Sequence, residues 1–330
     1  MKAWFLIFAR GKNNSYLRNR SMVSPTEKIK WMTMNSRRDF LKTGTAALLY
    51  GSTLLRNAPL NAEDNKKYLN LPLAIQLYSV RNQLPTDYEG TLKQIAALGY
   101  REVEAAGFYN HSVSQIQQAM QQAGLHCVSA HYSYNDLHGQ VDQIIDFIKE
   151  IGGQYIICSS AGHHGGQGPT FTLAEWRWNA GEFNKFGKKI GAAGLKFGYH
   201  NHTMEFRKEN GVVPYDELMR LTDPEYVTME MDLGWVTVGG GNPIELLHRY
   251  PTRISMLHVK DFKPFTAPAA IGNFPTARAL GQGTIDYRPI FAAAAQTGHI
   301  RHCFVEQEEY NMPVMQELKT DAEYMRKLHA

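Results

Sequence analysis

The sequence has only three cysteines in 330 residues, Cys127, Cys158 and Cys303, and each lies in an apolar segment. An odd number of scattered cysteines argues against a disulfide framework or a cysteine-based metal cluster, so we expect buried thiols. No glycine-rich phosphate loop follows the first predicted strand, and no linker or low-complexity tract marks a second domain. These absences favour one globular domain and count against phosphorylated substrates.

The chain also lacks a basic surface once its N-terminal leader is set aside. Residues 1–62 carry eleven of the 35 Lys and Arg residues but only two of the 31 Asp and Glu residues. Residues 63–330 therefore hold 24 basic and 29 acidic residues, a net charge of −5. This balance gives no electrostatic footprint for nucleic acid, so we expect no nucleic-acid partner.

The leader is typical of a twin-arginine export signal. The stretch SRRDFLK (36–42) precedes the apolar run TGTAALLYGSTLL, which is too short to serve as a mature membrane anchor. Ala62 offers a small residue for cleavage. We therefore expect residues 1–62 to be a signal peptide and leader, and residues 63–330 to be one periplasmic catalytic domain without a stable anchor.

One unit recurs along the rest of the chain: a short apolar run, a polar end and a longer amphipathic segment. The apolar runs predict strands at 73–79, 101–107, 126–133, 155–160, 195–202, 226–235, 254–261 and 302–308. The amphipathic segments predict helices at 86–98, 112–123, 136–150, 172–193, 214–222, 243–249, 286–297 and 313–328. This alternation predicts a (β/α)₈ TIM barrel. A doubly wound open sheet is the competing fold, but the phosphate loop it usually carries is absent.

Polar side chains gather at the carboxyl ends of the predicted strands, where barrel enzymes place their chemistry. Alternate residues of a strand point the same way, which gives a set of inward candidates. They are Gln76, Tyr78, Glu102, Glu104, His131, His200, His202, Glu230, Asp232, His258, Lys260, Glu306 and Glu308. Any one of them is typical of a hydrogen-bonded core residue. Buried charge is costly unless paired or bound to metal, so the whole set predicts a functional site.

Four of these residues form a candidate ligand set for one divalent metal ion. They are His200, Asp232, His258 and Glu306, and His202 is the alternative to His200. Two imidazoles and two carboxylates suit Mn²⁺, which we expect, or Zn²⁺, Co²⁺ or Fe²⁺, better than Ca²⁺. Such an ion polarises a carbonyl, and a nearby base then removes the adjacent proton.

The remaining candidates divide into catalytic and substrate-binding residues. The expected catalytic residues are Glu306, Lys260, His202 and Glu104, with Lys260 stabilising developing oxyanion charge. The expected substrate-binding residues are Gln76, Tyr78, His131 and Trp235, with Tyr78 and Trp235 stacking on a sugar face. The alternative for Glu104 and His131 is a buried hydrogen-bonded pair.

Five stretches are informative in combination: YHNHTMEF (199–206), MEMDLGW (229–235), RISMLHVKD (253–261), GQGTIDY (281–287) and FVEQE (304–308). Together they resemble the sugar phosphate isomerase/epimerase family of xylose-isomerase-like barrels. That family includes ketose epimerases, inosose dehydratases and endonuclease-IV-type DNA repair enzymes. The resemblance implies that Asp232, His258 and Glu306 occupy the positions of three metal ligands.

The fourth ligand position departs from the ketose epimerases. The resemblance implies a glutamate there that also moves the proton, whereas this chain has His200. The His-Asn-His stretch resembles exported members linked to 3-keto-sugar breakdown, in which elimination or hydration follows oxidation at C3. We therefore expect a metal-dependent isomerase/epimerase, or a 3-keto-glycoside lyase or hydratase, acting on a small sugar or keto-sugar.

Two other functions and one assembly question stay open from the sequence. A non-catalytic periplasmic sugar-binding barrel would tolerate a changed ligand. An endonuclease-like phosphodiesterase would need a larger histidine cluster and a surface that binds DNA in a salt-dependent way. A homo-oligomer is compatible with the sequence, which does not specify one.

Overall fold

A computed structural model of the protein describes residues 68–165, 168 and 170–329. The predicted signal peptide and leader lie outside these residues. The strands are β1 Ala74–Gln76, β2 Glu102–Ala105, β3 His126–Ser133, β4 Tyr155–Ser160, β5 Lys196–His200, β6 Val227–Asp232, β7 Ile254–Val259, β8 Asp261–Phe262, β9 Ala277–Arg278 and β10 His302–Val305. Strands β1 to β7 and β10 close into a parallel barrel in which β10 pairs with both β7 and β1. The predicted TIM barrel is confirmed.

Helices follow the barrel strands and cover them on the outside. They are α1 Tyr88–Ala97, α2 Val113–Ala123, α3 Tyr134–Glu150, α4 Leu173–Ala192, α5 Pro214–Leu221, α6 Leu233–Val238, α7 Pro243–Arg249, α8 Tyr287–Thr297 and α9 Val314–His329. Side chains cap their first turns: Ser112 and Thr172 each form a capping box, and Asn242 accepts from the backbone N–H of Ile244. Across the described part of the chain, none of the helices is both long and apolar enough to span a bilayer.

The barrel interior is apolar on one side of the polar residues. A small cluster of buried side chains, separate from the main core, consists of Ala74, Val128, Tyr155, Ile157, Met256 and Phe304. Met256 lies two residues before His258, and Phe304 lies two before Glu306, so each pair shares one face of its strand. The apolar cluster therefore fills the barrel beneath the polar side chains at its carboxyl end.

Two strands end earlier than the sequence predicted. Strand β1 stops at Gln76 because its side chain accepts the backbone N–H of Tyr78 and starts a 3₁₀ turn, Leu77–Val80. Strand β6 stops at Asp232. The carboxylate of Asp232 accepts the backbone N–H of Trp235 at 2.7 Å and so caps the start of α6. Strand alternation therefore does not extend to Tyr78, which lies in the 3₁₀ turn, or to Trp235, which lies in α6.

Strands β5 and β10 are also shorter than predicted. Strand β5 ends at His200, so His202 lies in the connection to a short 3₁₀ turn. Strand β10 ends at Val305, although the backbone N–H of Glu306 still donates to the carbonyl of Val259. The position of His202 is consequently set by loop geometry, whereas Glu306 continues the strand pairing by one residue.

A two-stranded hairpin after β7 was not predicted. Strands β8 and β9 pair antiparallel and enclose the loop 263–276. The carboxylate of Asp261, at the base of this hairpin, accepts backbone N–H groups from Gly281, Gly283, Thr284 and Ile285. One buried aspartate therefore holds the GQGTIDY stretch against the barrel rim, because four orphan donors are satisfied together.

Candidate metal centre

The four side chains proposed as metal ligands meet at the carboxyl end of the barrel. One potential ligand atom from each of His200, Asp232, His258 and Glu306 lies within 4.8 Å of the others. The register of β6 and β7 places Asp232 beside His258, and all four side chains are buried. Two imidazoles and two carboxylates at this separation are a donor set for one divalent transition metal.

A second group of ligand atoms overlaps the first. It contains His131, His200, Glu230 and His258, again within 4.8 Å of one another. The two groups share His200 and His258, and the second has His131 and Glu230 in place of Asp232 and Glu306. We call Asp232 and Glu306 the outer carboxylates, and Glu104 and Glu230, which are fully buried, the inner carboxylates.

The shared imidazoles lie between the inner and outer carboxylates. Nδ1 of His200 is 3.0 Å from Oε2 of Glu230, and its Nε2 is 3.9 Å from Oδ2 of Asp232. Nε2 of His258 is 2.7 Å from Oε1 of Glu104, and its Nδ1 is 3.1 Å from Oε2 of Glu306. Each ring thus has an inner carboxylate on one nitrogen, which is how metal-binding histidines are commonly oriented.

The inner carboxylates belong to a dense hydrogen-bond network. Glu104 accepts from the Gln76 amide at 2.8 Å and from the hydroxyl of Ser129. Nε2 of His131 lies 2.9 Å from Glu104 and 2.7 Å from Glu230. Burial alone would lower the pKa of His131, but the two carboxylates outweigh it and raise that pKa to about 10. Gln76, Glu104 and His131 are therefore engaged with protein groups below the candidate ligands.

Lys260 connects the outer carboxylates to the mouth of the barrel. Its Nζ lies 2.7 Å from Glu306, 2.9 Å from Asp232 and 2.6 Å from Glu308. Burial would lower the pKa of Lys260, but these three carboxylates raise it well above its usual value. A fixed positive charge is thus held beside the candidate ligands.

Unsatisfied polar atoms support a cation at this place. Oδ2 of Asp232 is buried and accepts no hydrogen bond from described residues, although Nζ of Lys260 lies 2.9 Å from it. Burial raises the pKa of Asp232, so a cation would stabilise its ionised form. Burial and the neighbouring imidazoles lower the pKa of His200 well below its usual value, which leaves a neutral ring able to bind metal. The residues present fit a divalent ion.

His202 lies beside the cluster. Its ring centroid is 5.0 Å from that of His200 and 6.4 Å from that of Trp235, and the residue belongs to neither group of ligand atoms. Glu205 fixes the backbone here by accepting the N–H of His202 at 2.9 Å and the hydroxyl of Tyr199 at 2.6 Å. Burial lowers the pKa of His202, so its imidazole is neutral at ordinary pH.

The two predicted stacking residues lie near the mouth. The ring of Trp235 lies 4.8 Å from Nζ of Lys260, and its indole N–H donates to Glu308 at 3.1 Å. Tyr78 is partly exposed and stacks under the guanidinium of Arg81 at 4.1 Å.

Two carboxylates of the site were not assigned a functional role from the sequence. Glu230 is one of the inward candidates, and it contacts His131, His200 and His258. Glu308 was noted only as a polar strand end. Its position two residues after Glu306 was the available signal, but the end of β10 hid where its side chain would point.

The chain matches known proteins in sequence and in fold. The family described as "Xylose isomerase-like TIM barrel" matches residues 92–328, which is more than half of the chain. The protein belongs to this family. Its members share the barrel, so the family assigns the fold more firmly than the reaction.

Curated relatives point to carbohydrate chemistry. The inosose dehydratase of Clostridium botulinum strain Alaska E43 is 27% identical over 250 residues, covering 67% of this chain and 82% of that protein. The inosose dehydratase of Lacticaseibacillus casei is 25% identical over 251 residues, covering 67% of this chain and 82% of that protein. The protein is therefore an enzyme that acts on carbohydrates.

Solved structures agree on the fold. A sugar phosphate isomerase/epimerase from Parabacteroides distasonis superimposes with a TM-score of 0.65 at 25% identity, covering 78% of this chain and 98% of that one. The IolI protein, solved with a bound zinc atom, superimposes with a TM-score of 0.62 at 13% identity, covering 78% and 98%. The second likeness supports the fold alone.

Proposed function

We propose that the protein is a metal-dependent lyase that cleaves 3-keto-glycosides by proton abstraction beside the ketone. The observation that carries the proposal is the cluster of His200, Asp232, His258 and Glu306 with Lys260 beside it. The relatives named dehydratases support elimination, since a dehydratase removes water from its substrate. Isomerisation or epimerisation of a sugar is the second candidate, favoured by the structural relative from Parabacteroides distasonis.

The metal ion would be held by His200, Asp232, His258 and Glu306, and it would polarise the substrate carbonyl. We propose Mn²⁺ for this mixed nitrogen and oxygen donor set, with Zn²⁺, Co²⁺ or Fe²⁺ as alternatives. The inner carboxylates fix the two imidazoles in the orientation that binding requires.

The chain's own groups carry the proton and the charge. His202 is buried, neutral and next to the ligand cluster, so we propose it as the base that takes the proton from C2. The electron pair of the C2–H bond moves onto the C3 oxygen as an enolate. When the enolate collapses, the C1=C2 double bond forms, the C1–O bond breaks, and the departing oxygen takes up the proton that His202 removed. Addition of water to the double bond then yields the free 3-keto-sugar. Lys260 stabilises the negative charge that develops on the enolate oxygen.

Proton NMR of a 3-keto-glucoside in D₂O tests this function, with the purified protein in the presence and absence of Mn²⁺. Metal-dependent release of the aglycone supports the lyase, and loss of release in Glu306→Gln ties it to the cluster. Deuterium uptake at C2 without cleavage supports an epimerase. Tight metal binding without exchange on this or common ketoses supports a sugar-binding barrel.

We also propose that the protein is exported to the periplasm by the twin-arginine route, on the strength of SRRDFLK (36–42). Replacing Arg37 and Arg38 together by Lys should retain the protein in the cytoplasm. Cell fractionation and immunoblotting measure this. Equal periplasmic amounts of the variant and the wild type would reject the route.

A further inference from the structure

The loop 263–276 between β8 and β9 carries an unusual apolar surface. In the portion of the chain that the structure describes, two large hydrophobic side chains are exposed, and both lie in this loop. They are Ile271, 41% exposed, and Phe274, 47% exposed. Exposed apolar surface next to a polar cleft commonly marks a place where a ligand binds.

Phe274 continues an aromatic surface that begins inside the site. Its ring centroid is 5.2 Å from that of Trp235 in an edge-on arrangement. The ring centroid of Trp235 lies 5.4 Å from that of Phe262 and 4.8 Å from Nζ of Lys260. The indole N–H bond to Glu308 holds the Trp235 ring in place. Aromatic side chains thus lead from the charged cluster to solvent.

The base of the loop is held firmly enough to position Phe274. Strands β8 and β9 pair at Asp261 with Arg278 and at Phe262 with Ala277. Asp261 also accepts two backbone N–H groups from the stretch after β9, those of Gly281 at 3.1 Å and Gly283 at 2.9 Å. The two ends of the loop are therefore fixed by the hairpin at the barrel rim.

We propose that Trp235 and Phe274 form a subsite for a flat apolar leaving group, such as an aryl group, attached to C1 of the substrate. The inference rests on the proposed lyase function, in which that group departs. The inner side of the cluster is closed by Glu104 and Glu230, both fully buried, so the leaving group must extend toward the mouth. Phe274 is where that path meets solvent. An aromatic leaving group gains ring contacts there that a methyl group cannot make.

Kinetics with two substrates test the subsite: phenyl and methyl 3-keto-β-glucoside, which share the sugar and differ in the leaving group. Phe274→Ala should lower kcat/KM for the phenyl substrate about 5-fold more than for the methyl substrate, as expected for one aromatic contact. Phe274→Tyr should restore the ratio. Ile271 lies in the same loop and is similarly exposed. Ile271→Ala should change kcat/KM for both substrates by the same factor and leave their ratio unchanged.

A binding measurement separates the subsite from the reaction. Phenyl and methyl β-glucoside carry no ketone and do not react, so calorimetry reports their affinities alone. Phe274→Ala should lower the affinity for phenyl β-glucoside about 5-fold more than the affinity for methyl β-glucoside. If no keto-glucoside is cleaved but this ratio still falls, the lyase function fails and the subsite stands. An unchanged ratio in both experiments, an equal fall in Ile271→Ala, or no glucoside binding and no cleavage would overturn the subsite.

Discussion

Nδ1 of His200 lies 3.0 Å from Oε2 of Glu230, and this contact decides which nitrogen of the ring is available to a metal. An N–H at Nδ1 that donates to the carboxylate leaves the lone pair at Nε2, on the side of Asp232. In the centre that we propose, Glu230 would therefore act through His200, and the ion would lie on the outer side of the ring.

Glu230→Gln should weaken metal binding about 10- to 100-fold, because the amide is a poorer partner for the ring N–H. Titration calorimetry with Mn²⁺ against a competing chelator measures the affinity. Glu102→Gln is a matched control, since Glu102 makes a similar contact to Nδ1 of His302 at 2.7 Å, at the opposite end of the barrel. That variant should keep its affinity. Loss of binding in Glu230→Gln with normal binding in Asp232→Asn would instead place the ion in the inner group.

The two histidines of the His-Asn-His stretch should behave differently. His200→Ala should reduce metal affinity by more than about 100-fold, beyond the loss expected for a partner that only orients a ligand. His202→Ala should leave the metal content nearly unchanged, because His202 belongs to neither group of ligand atoms. Metal content after dialysis, measured by mass spectrometry, distinguishes them. Equal losses in both variants would contradict the assignment of His200.

Lys260→Met should make the stability of the protein depend on metal. Removing the ammonium leaves Asp232, Glu306 and Glu308 without their shared cation. The metal-free variant should lose about 3 kcal/mol in the free energy of unfolding, and added Mn²⁺ should restore most of it.

Urea unfolding with EDTA and with Mn²⁺ measures the effect of Lys260→Met. Lys196→Met is the control, because Lys196 donates to the hydroxyl of Tyr155 at 3.1 Å, away from the cluster. A loss of unfolding free energy in Lys260→Met that is the same with and without Mn²⁺ would show that Mn²⁺ does not bind at the carboxylates that Lys260 contacts.

The sequence sufficed for the barrel because its alternation of apolar runs and amphipathic segments is a strong, repeated signal. It also sufficed to bring His200, Asp232, His258 and Glu306 together, since each lies at or next to a strand end. Carboxyl ends of parallel strands meet at one rim, so residues far apart in sequence become neighbours there.

What failed was the extension of strand alternation past the strand ends. The stretch LGW after Asp232 is as apolar as the strand before it, and only the cap made by the Asp232 side chain starts a helix there. Local pattern could not report that hydrogen bond. The same limit applies to His202, whose place is set by the contact of its backbone with Glu205.

Asp321 provides a pH-dependent test of the fold away from the cluster. It is fully buried in α9, accepts the backbone N–H of Leu280 at 2.7 Å and accepts from the amide of Gln307 at 3.2 Å. Burial raises the pKa of Asp321 to about 7 despite these bonds. In the unfolded chain its pKa returns to about 4. The unfolded state therefore releases this proton first, and the group's contribution to stability falls as the pH rises from about 4 to about 7.

Asp321→Asn removes this titration. The free energy of unfolding of the variant minus that of the wild type should therefore increase from about pH 4 to about pH 8. The improvement should be at most about 4 kcal/mol, since one pKa unit corresponds to roughly 1.4 kcal/mol. The lost hydrogen-bond quality of the amide adds a constant offset at both pH values and does not affect this difference. Urea unfolding at the two pH values measures it, with the exposed Asp142→Asn as control. A difference that is flat with pH, or that runs the other way, would mean that Asp321 is ionised throughout in the folded protein.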